Sequence, residues 1–155
     1  MNRILILCIS LLFAIKTYAQ EKDGYHNSIG LSLGLPAGIN FKSFIGSKSA
    51  IDLVGGIRLG SDFSDQWFTA IYQCHQNLKT EGVRLYYGGG FTALHSKLGG
   101  SSFGLGLNAN IGIEYKFPDA PFVFAADWSP LYWLRGHTDG IDLQSGAVKV
   151  RYVIN

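Results

Sequence analysis

Apolar and small or polar residues alternate strictly from Phe103 to Phe117. Phe103, Leu105, Leu107, Ala109, Ile111, Ile113, Tyr115 and Phe117 take the odd positions. Gly104, Gly106, Asn108, Asn110, Gly112, Glu114 and Lys116 take the even ones. Period two is the signature of a strand with unlike faces. A strand of this length exceeds the roughly 5–6 residues usual in soluble proteins and suits a tilted membrane strand.

Shorter stretches repeat the pattern. Ile29, Leu31, Leu33 and Leu35 alternate with Ser28, Gly30, Ser32 and Gly34, and Ile39, Phe41 and Ile45 oppose Asn40 and Lys42. Ile51, Leu53, Ile57 and Leu59 oppose Asp52 and Arg58, while Phe68, Ala70, Tyr72 and Cys74 oppose Thr69, Gln73 and His75. Leu85, Tyr87, Phe91 and Ala93 oppose Arg84, Gly88, Gly90 and Thr92. Phe122, Phe124, Ala126 and Trp128 oppose Ala125, Asp127 and Ser129, and Val148, Val150, Tyr152 and Ile154 oppose Lys149 and Arg151. With the long stretch, this predicts an all-β protein: an eight-stranded antiparallel up-and-down transmembrane β-barrel.

A soluble lipocalin-type barrel also alternates, but it points its apolar face inward. Here the polar face is mostly Gly, Ser, Ala and Asn, which fit a narrow interior, and the bulky face is continuous, as lipid contact requires. The membrane barrel is the better reading.

The N-terminus carries the export signal that such a barrel requires. Arg3 precedes the apolar run Ile4–Ile15, and Thr17-Tyr18-Ala19 is a small-x-small cleavage pattern. The run is short of the roughly 20 residues of a spanning helix. Cys8 lies inside it without the small residues that precede a lipidated cysteine. The expected organisation is a cleaved signal peptide, 1–19, followed by an outer-membrane β-barrel domain, 20–155, which holds 136 of the 155 residues. That allows about 17 residues per strand with its connection, where about 9–11 suffice to cross.

Removal of Arg3 and Lys16 takes Lys+Arg from 13 to 11, equal to the 11 Asp+Glu. The mature chain is formally neutral, which argues against a nucleic-acid partner. Only Cys74 survives cleavage, so no disulfide can form within the mature chain. The expected partners are outer-membrane lipid and, during assembly, the barrel insertion machinery; the barrel is expected to be a monomer without cofactor or bound metal.

The connections at 46–49, 76–82 and 118–121 are expected on the periplasmic side. Those at 35–38, 60–66, 95–102 and 134–144 face outward, and the shortness of the first makes the outer rim uneven. Interfacial aromatic girdles are expected from Tyr115, Phe117, Phe122 and Tyr152 at the inner level and from Trp67, Tyr132 and Trp133 at the outer level. The lumen should hold a charge network of Lys42, Asp52, Arg58, Arg84 and Glu114, with Lys116, Asp127, Lys149 and Arg151. Buried charges require partners. Asp127 and Lys149 stand at similar heights on neighbouring strands and should pair, and Glu114 should meet Arg58, Lys116 or Arg151.

Gly112-Ile113-Glu114-Tyr115-Lys116-Phe117, Pro121, Asp127-Trp128-Ser129-Pro130 and Ser145-Gly146-Ala147-Val148-Lys149-Val150-Arg151-Tyr152 resemble a family of small outer-membrane barrel proteins of Bacteroidetes-type Gram-negative bacteria. Tyr86-Tyr87-Gly88-Gly89-Gly90 adds to the likeness. The resemblance implies a closed barrel of OmpA or OmpX type and no settled biochemical activity. Such proteins usually end in an aromatic residue, whereas this chain ends Val153-Ile154-Asn155 after Tyr152.

Two other functions compete with a non-enzymatic role in envelope structure or surface interaction. His95, Ser96, His137 and Asp139 fall near the outer rim, where an outer-leaflet lipid-modifying enzyme would keep a nucleophile and base. Lumen charges could instead line a narrow pore. Cys74 and His75 point to opposite faces and share no metal, and the acidic stretch 135–142 lacks the remaining ligands of a calcium loop.

Overall fold

A computed structural model describes residues 25–59, 64–97, 102–135 and 140–154. The signal-peptide segment, His137 and Asp139 lie outside the described residues, as do the side chains of Arg58 and Leu59. The described residues form ten strand segments: β1 (Asn27–Leu35), β2 (Gly38–Phe44), β3 (Ser49–Leu59), β4 (Ser64–Asn77), β5 (Val83–Ser96), β6 (Ser102–Lys116), β7 (Phe122–Trp128), β8 (Leu131–Arg135), β9 (Gly140–Asp142) and β10 (Gly146–Val153).

They build eight antiparallel staves, because β7 with β8, and β9 with β10, each make one interrupted stave. Each of β1 to β6 pairs with the next, β6 pairs with β7, β7 with β10, and β10 with β1. The last pairing, from Ser28↔Val153 to Leu35↔Gly146, closes the barrel. Along this stretch closure removes the free strand edges that an open sheet would expose to lipid.

Both interruptions have local causes. Pro130 has no N–H to give the ladder, and its carbonyl accepts from Ala109 N at 3.0 Å. Beyond it the chain resumes pairing with β6, with a register shift between Leu105 and Gly106. In the other stave, Asp142 Oδ1 accepts from Gln144 N at 2.8 Å and its Oδ2 accepts from Ser145 Oγ at 3.1 Å. Such an Asx turn competes with strand pairing. The expected loop at 134–144 is therefore partly strand: Arg135 ends β8 and Gly140–Asp142 forms β9.

Faces follow the alternation. Leu31, Leu33, Ile39, Phe91, Leu107, Ile111, Phe124 and Val148 point outward and are exposed, while Ser32, Asn40, Thr92, Asn108, Asn110 and Lys149 are buried inside. An apolar exterior around a polar interior inverts a soluble globule and suits a bilayer. A small apolar cluster of Tyr25, Phe44, Ala50 and Val123 fills the end carrying the β2–β3 and β6–β7 turns.

Candidate functional site

The lumen has two unlike halves. In the inner half, charged side chains from six staves meet, on β2, β3, β5, β6, β7 and β10. Glu114 Oε2, on β6, lies 2.8 Å from Lys42 Nζ on β2 and 2.8 Å from Arg151 Nη2 on β10. Tyr25, just before β1, donates its hydroxyl to the same oxygen at 3.2 Å. Glu114 Oε1 lies 3.8 Å from His75 Nε2 and 4.0 Å from Arg84 Nη1. Lys149 Nζ bridges Asp52 and Asp127, 2.8 Å from each.

Neutral side chains stitch these groups together. Arg151 Nη1 donates to Asn40 Oδ1 at 3.1 Å, and Asn40 Nδ2 donates to Asp52. Gln73 Nε2 donates to Asp52 at 3.2 Å and to Asn110 Oδ1 at 2.8 Å, and Asn110 Nδ2 continues to Ser129 Oγ at 2.6 Å. Tyr86 donates to Asp127 Oδ2 at 2.9 Å, and Lys42 Nζ sits 4.4 Å from its ring centre. Thus the charges are buried in compensating contacts, the condition under which a low-dielectric interior tolerates them.

Six predicted lumen residues, Lys42, Asp52, Glu114, Asp127, Lys149 and Arg151, share this network. Arg84 stands at its edge, 5.4 Å above the Phe44 ring. Lys116 is half-buried at the end of β6. Arg58 pairs with Asp65 in the β3–β4 register, which sets it near the outer end rather than beside Glu114.

Alternation alone assigns no partner to Asn40, Gln73, His75, Asn110 or Tyr25. Tyr86 had a readable signal: in Tyr86-Tyr87 on a strand, one ring must face inward.

Above this network Thr69 and Thr92 hydroxyls meet at 2.8 Å, and Thr92 donates to Asn108 Oδ1 at 2.8 Å. Over that floor lies a chamber of about 430 Å³ whose wall includes Leu35, Ile57, Trp67, Leu94, Leu131 and Trp133.

Two of those residues correct the sequence reading. Trp67 shares its side of β4 with the buried Asp65, Thr69, Ile71 and Gln73, and Trp133 is buried between the exposed Tyr132 and Leu134. Both indoles face the lumen, so neither belongs to a lipid-facing girdle. Their bulk is accommodated by interior glycines: a Cβ on Gly56 would come within 2.6 Å of the Trp67 ring, and one on Gly104 within 3.1 Å of the Trp133 ring. Trp128, half exposed, is the outward-facing tryptophan, and its Nε1 donates to Leu143 O at 2.8 Å.

The other aromatics expected in the girdles, Tyr115, Phe117, Phe122, Tyr132 and Tyr152, face outward. Tyr115 and Phe117 rings are 4.8 Å apart, and Phe122 and Tyr152 rings 5.6 Å apart, around the inner end; Tyr132 is exposed toward the outer end. His95 and Ser96 occupy opposite faces of β5, with the buried Ser96 donating to Asp65 at 2.6 Å. They cannot act as a nucleophile and base together. Among the described residues no three metal-ligating side chains converge.

No protein-family model matches the chain, and no curated protein sequence matches it. Among solved structures it is similar to the crystal structure of Neisserial surface protein A, with a TM-score of 0.51 and 17% sequence identity, over 83% of this chain and 93% of that one. What the two share is the closed antiparallel barrel.

Proposed function

We propose that this chain is an integral outer-membrane barrel, non-enzymatic and non-conducting, that serves envelope structure or surface interaction through its outward end. The observation that carries the reading is the buried network spanning the inner lumen inside an apolar exterior. Asp52, Lys149 and Asp127 link one side of the barrel, and Lys42, Glu114 and Arg151 cross the other. With Tyr25 and Phe44 packed edge to face at 5.1 Å beneath them, the inner mouth is plugged. Opening a path would mean separating several charge pairs at once, which costs several kcal/mol for each ion left unpaired.

The signal peptide, assembly by the insertion machinery and a monomeric state complete the proposal. They rest on the N-terminal pattern and on the resemblance to the Bacteroidetes-type barrel family. The lipid-modifying alternative loses support because His95 and Ser96 diverge.

The test is fractionation with the outer membrane, a heat-dependent change in gel migration, and planar-bilayer recording of the purified barrel. Membrane recovery, a heat shift and a silent bilayer are expected. Recovery as a soluble periplasmic protein would refute the membrane reading, and regular single-channel steps would refute the plug.

A further inference from the structure

The barrel wall is not equally high all round. β1 and β2 pair only as far as Ser32↔Gly38, and β2 meets β3 only as far as Ile39↔Gly55. Above that level β3 continues through Gly56 and Ile57, paired among the described residues with β4 alone. On the other flank, β10 meets β1 no higher than Gly146↔Leu35, and among the described residues β9 pairs only with β8. Among the described residues, the outer half of the wall is therefore open between β3 and β9, over the low hairpin at 36–37.

Two cavities meet at this notch. The lumenal chamber is bounded there by Ala37, Gly38 and Ile57. The same three residues border a second hollow, on the lipid-facing side, with Leu31, Leu33 and Ile39. One apolar surface thus runs from the outer face of the barrel, over the hairpin, into the lumen.

We propose that the chamber takes a hydrocarbon chain of a neighbouring membrane lipid, admitted sideways over the β1–β2 hairpin while the headgroup stays outside. This rests on the membrane reading above. The outer hollow faces the bilayer, so acyl chains are the molecules in contact with it. The chamber has the dimensions and lining of a small-molecule site, mostly apolar and aromatic with few polar groups. Asp65 and Asp142 are the carboxylates on its wall. They oppose entry of an anionic headgroup or a free fatty-acid carboxylate, which favours a chain still attached to its lipid. Trp67 Nε1, buried with no acceptor within the protein, offers a donor for an ester or hydroxyl oxygen on that chain.

The chain's three tryptophans allow a direct test. W128F leaves Trp67 and Trp133 in the chamber, and W67F/W133F leaves Trp128 on the lipid face. Each variant is reconstituted in vesicles of phosphatidylcholine brominated on its acyl chains, with folding checked by heat-dependent migration. Tryptophan emission should fall in W128F by a share comparable to that in W67F/W133F. Adding L94F to fill the chamber, or A37F to block the notch, should reduce the W128F quenching several-fold. Quenched Trp128 beside unquenched Trp67 and Trp133 would overturn the chamber proposal and leave the membrane reading standing. Unquenched Trp128 would remove the membrane reading and the chamber with it. Quenching of Trp67 and Trp133 that persists in folded L94F and A37F would mean bromine acting through the wall, and would also overturn the chamber.

Discussion

Tyr86 lies across Gly112, its partner on the neighbouring strand, so closely that a Cβ on Gly112 would fall 2.5 Å from Tyr86 Cζ. The missing side chain is what lets the ring lie flat in the lumen and put its hydroxyl on Asp127. Gly112→Ala should displace the ring and destabilise the barrel by about 1–3 kcal/mol, as overpacking does. Urea unfolding in micelles would measure it. Tyr86→Leu should remove much of the penalty of G112A, leaving the part due to the Ala126 carbonyl, 2.7 Å from the same Cβ. Strict additivity of the two changes would contradict the arrangement.

Glu114 and Asp127 should differ sharply. Glu114→Gln leaves Lys42 and Arg151 without the carboxylate they share, a loss on the order of 3–5 kcal/mol for a broken buried pair. Asp127→Asn leaves Lys149 its contact with Asp52 at 2.8 Å and should cost only about 1–2 kcal/mol. Unfolding midpoints of the two variants, side by side, test this order.

Tyr25 should make the barrel sensitive to alkali. Burial, and then the nearby Glu114 charge, push its phenol well above the usual tyrosine range. The folded state therefore keeps a proton that the unfolded chain releases above its ordinary value of 10.0, and stability falls as pH rises past that point. Tyr25→Phe should flatten this fall, as read from urea midpoints at pH 9 and about pH 11, one unit either side of the ordinary phenol value. An unchanged slope would place Tyr25 in solvent.

Hydrogen exchange should reveal the notch. Among the described residues β9 pairs with β8 alone, whereas β10 has β1 and β7. Peptides covering 140–142 should exchange faster than those covering 146–153, since one-sided pairing opens locally at low cost. Equal protection would mean that the wall is closed above the hairpin.

The alternation at Phe103–Phe117, and its shorter copies, determined by themselves that this chain is a barrel with a bulky outer face. A strand turns successive side chains to opposite sides whatever it pairs with, so Lys42, Glu114 and Arg151 were readable as interior. Trp67 stands in phase with the lumenal Thr69 and Gln73, although tryptophan is also common at membrane interfaces. Leu131-Tyr132-Trp133-Leu134, by contrast, is apolar throughout and carries no period that assigns Trp133 a face. Only closure decided the rest. Glu114 and Lys42 come from staves on different sides of the lumen, 72 residues apart in the chain, and their heights depend on the stagger accumulated around the ring. The same stagger leaves the β1–β2 hairpin low between β3 and β9. Face is a local property of each strand; height and partner are properties of the closed barrel.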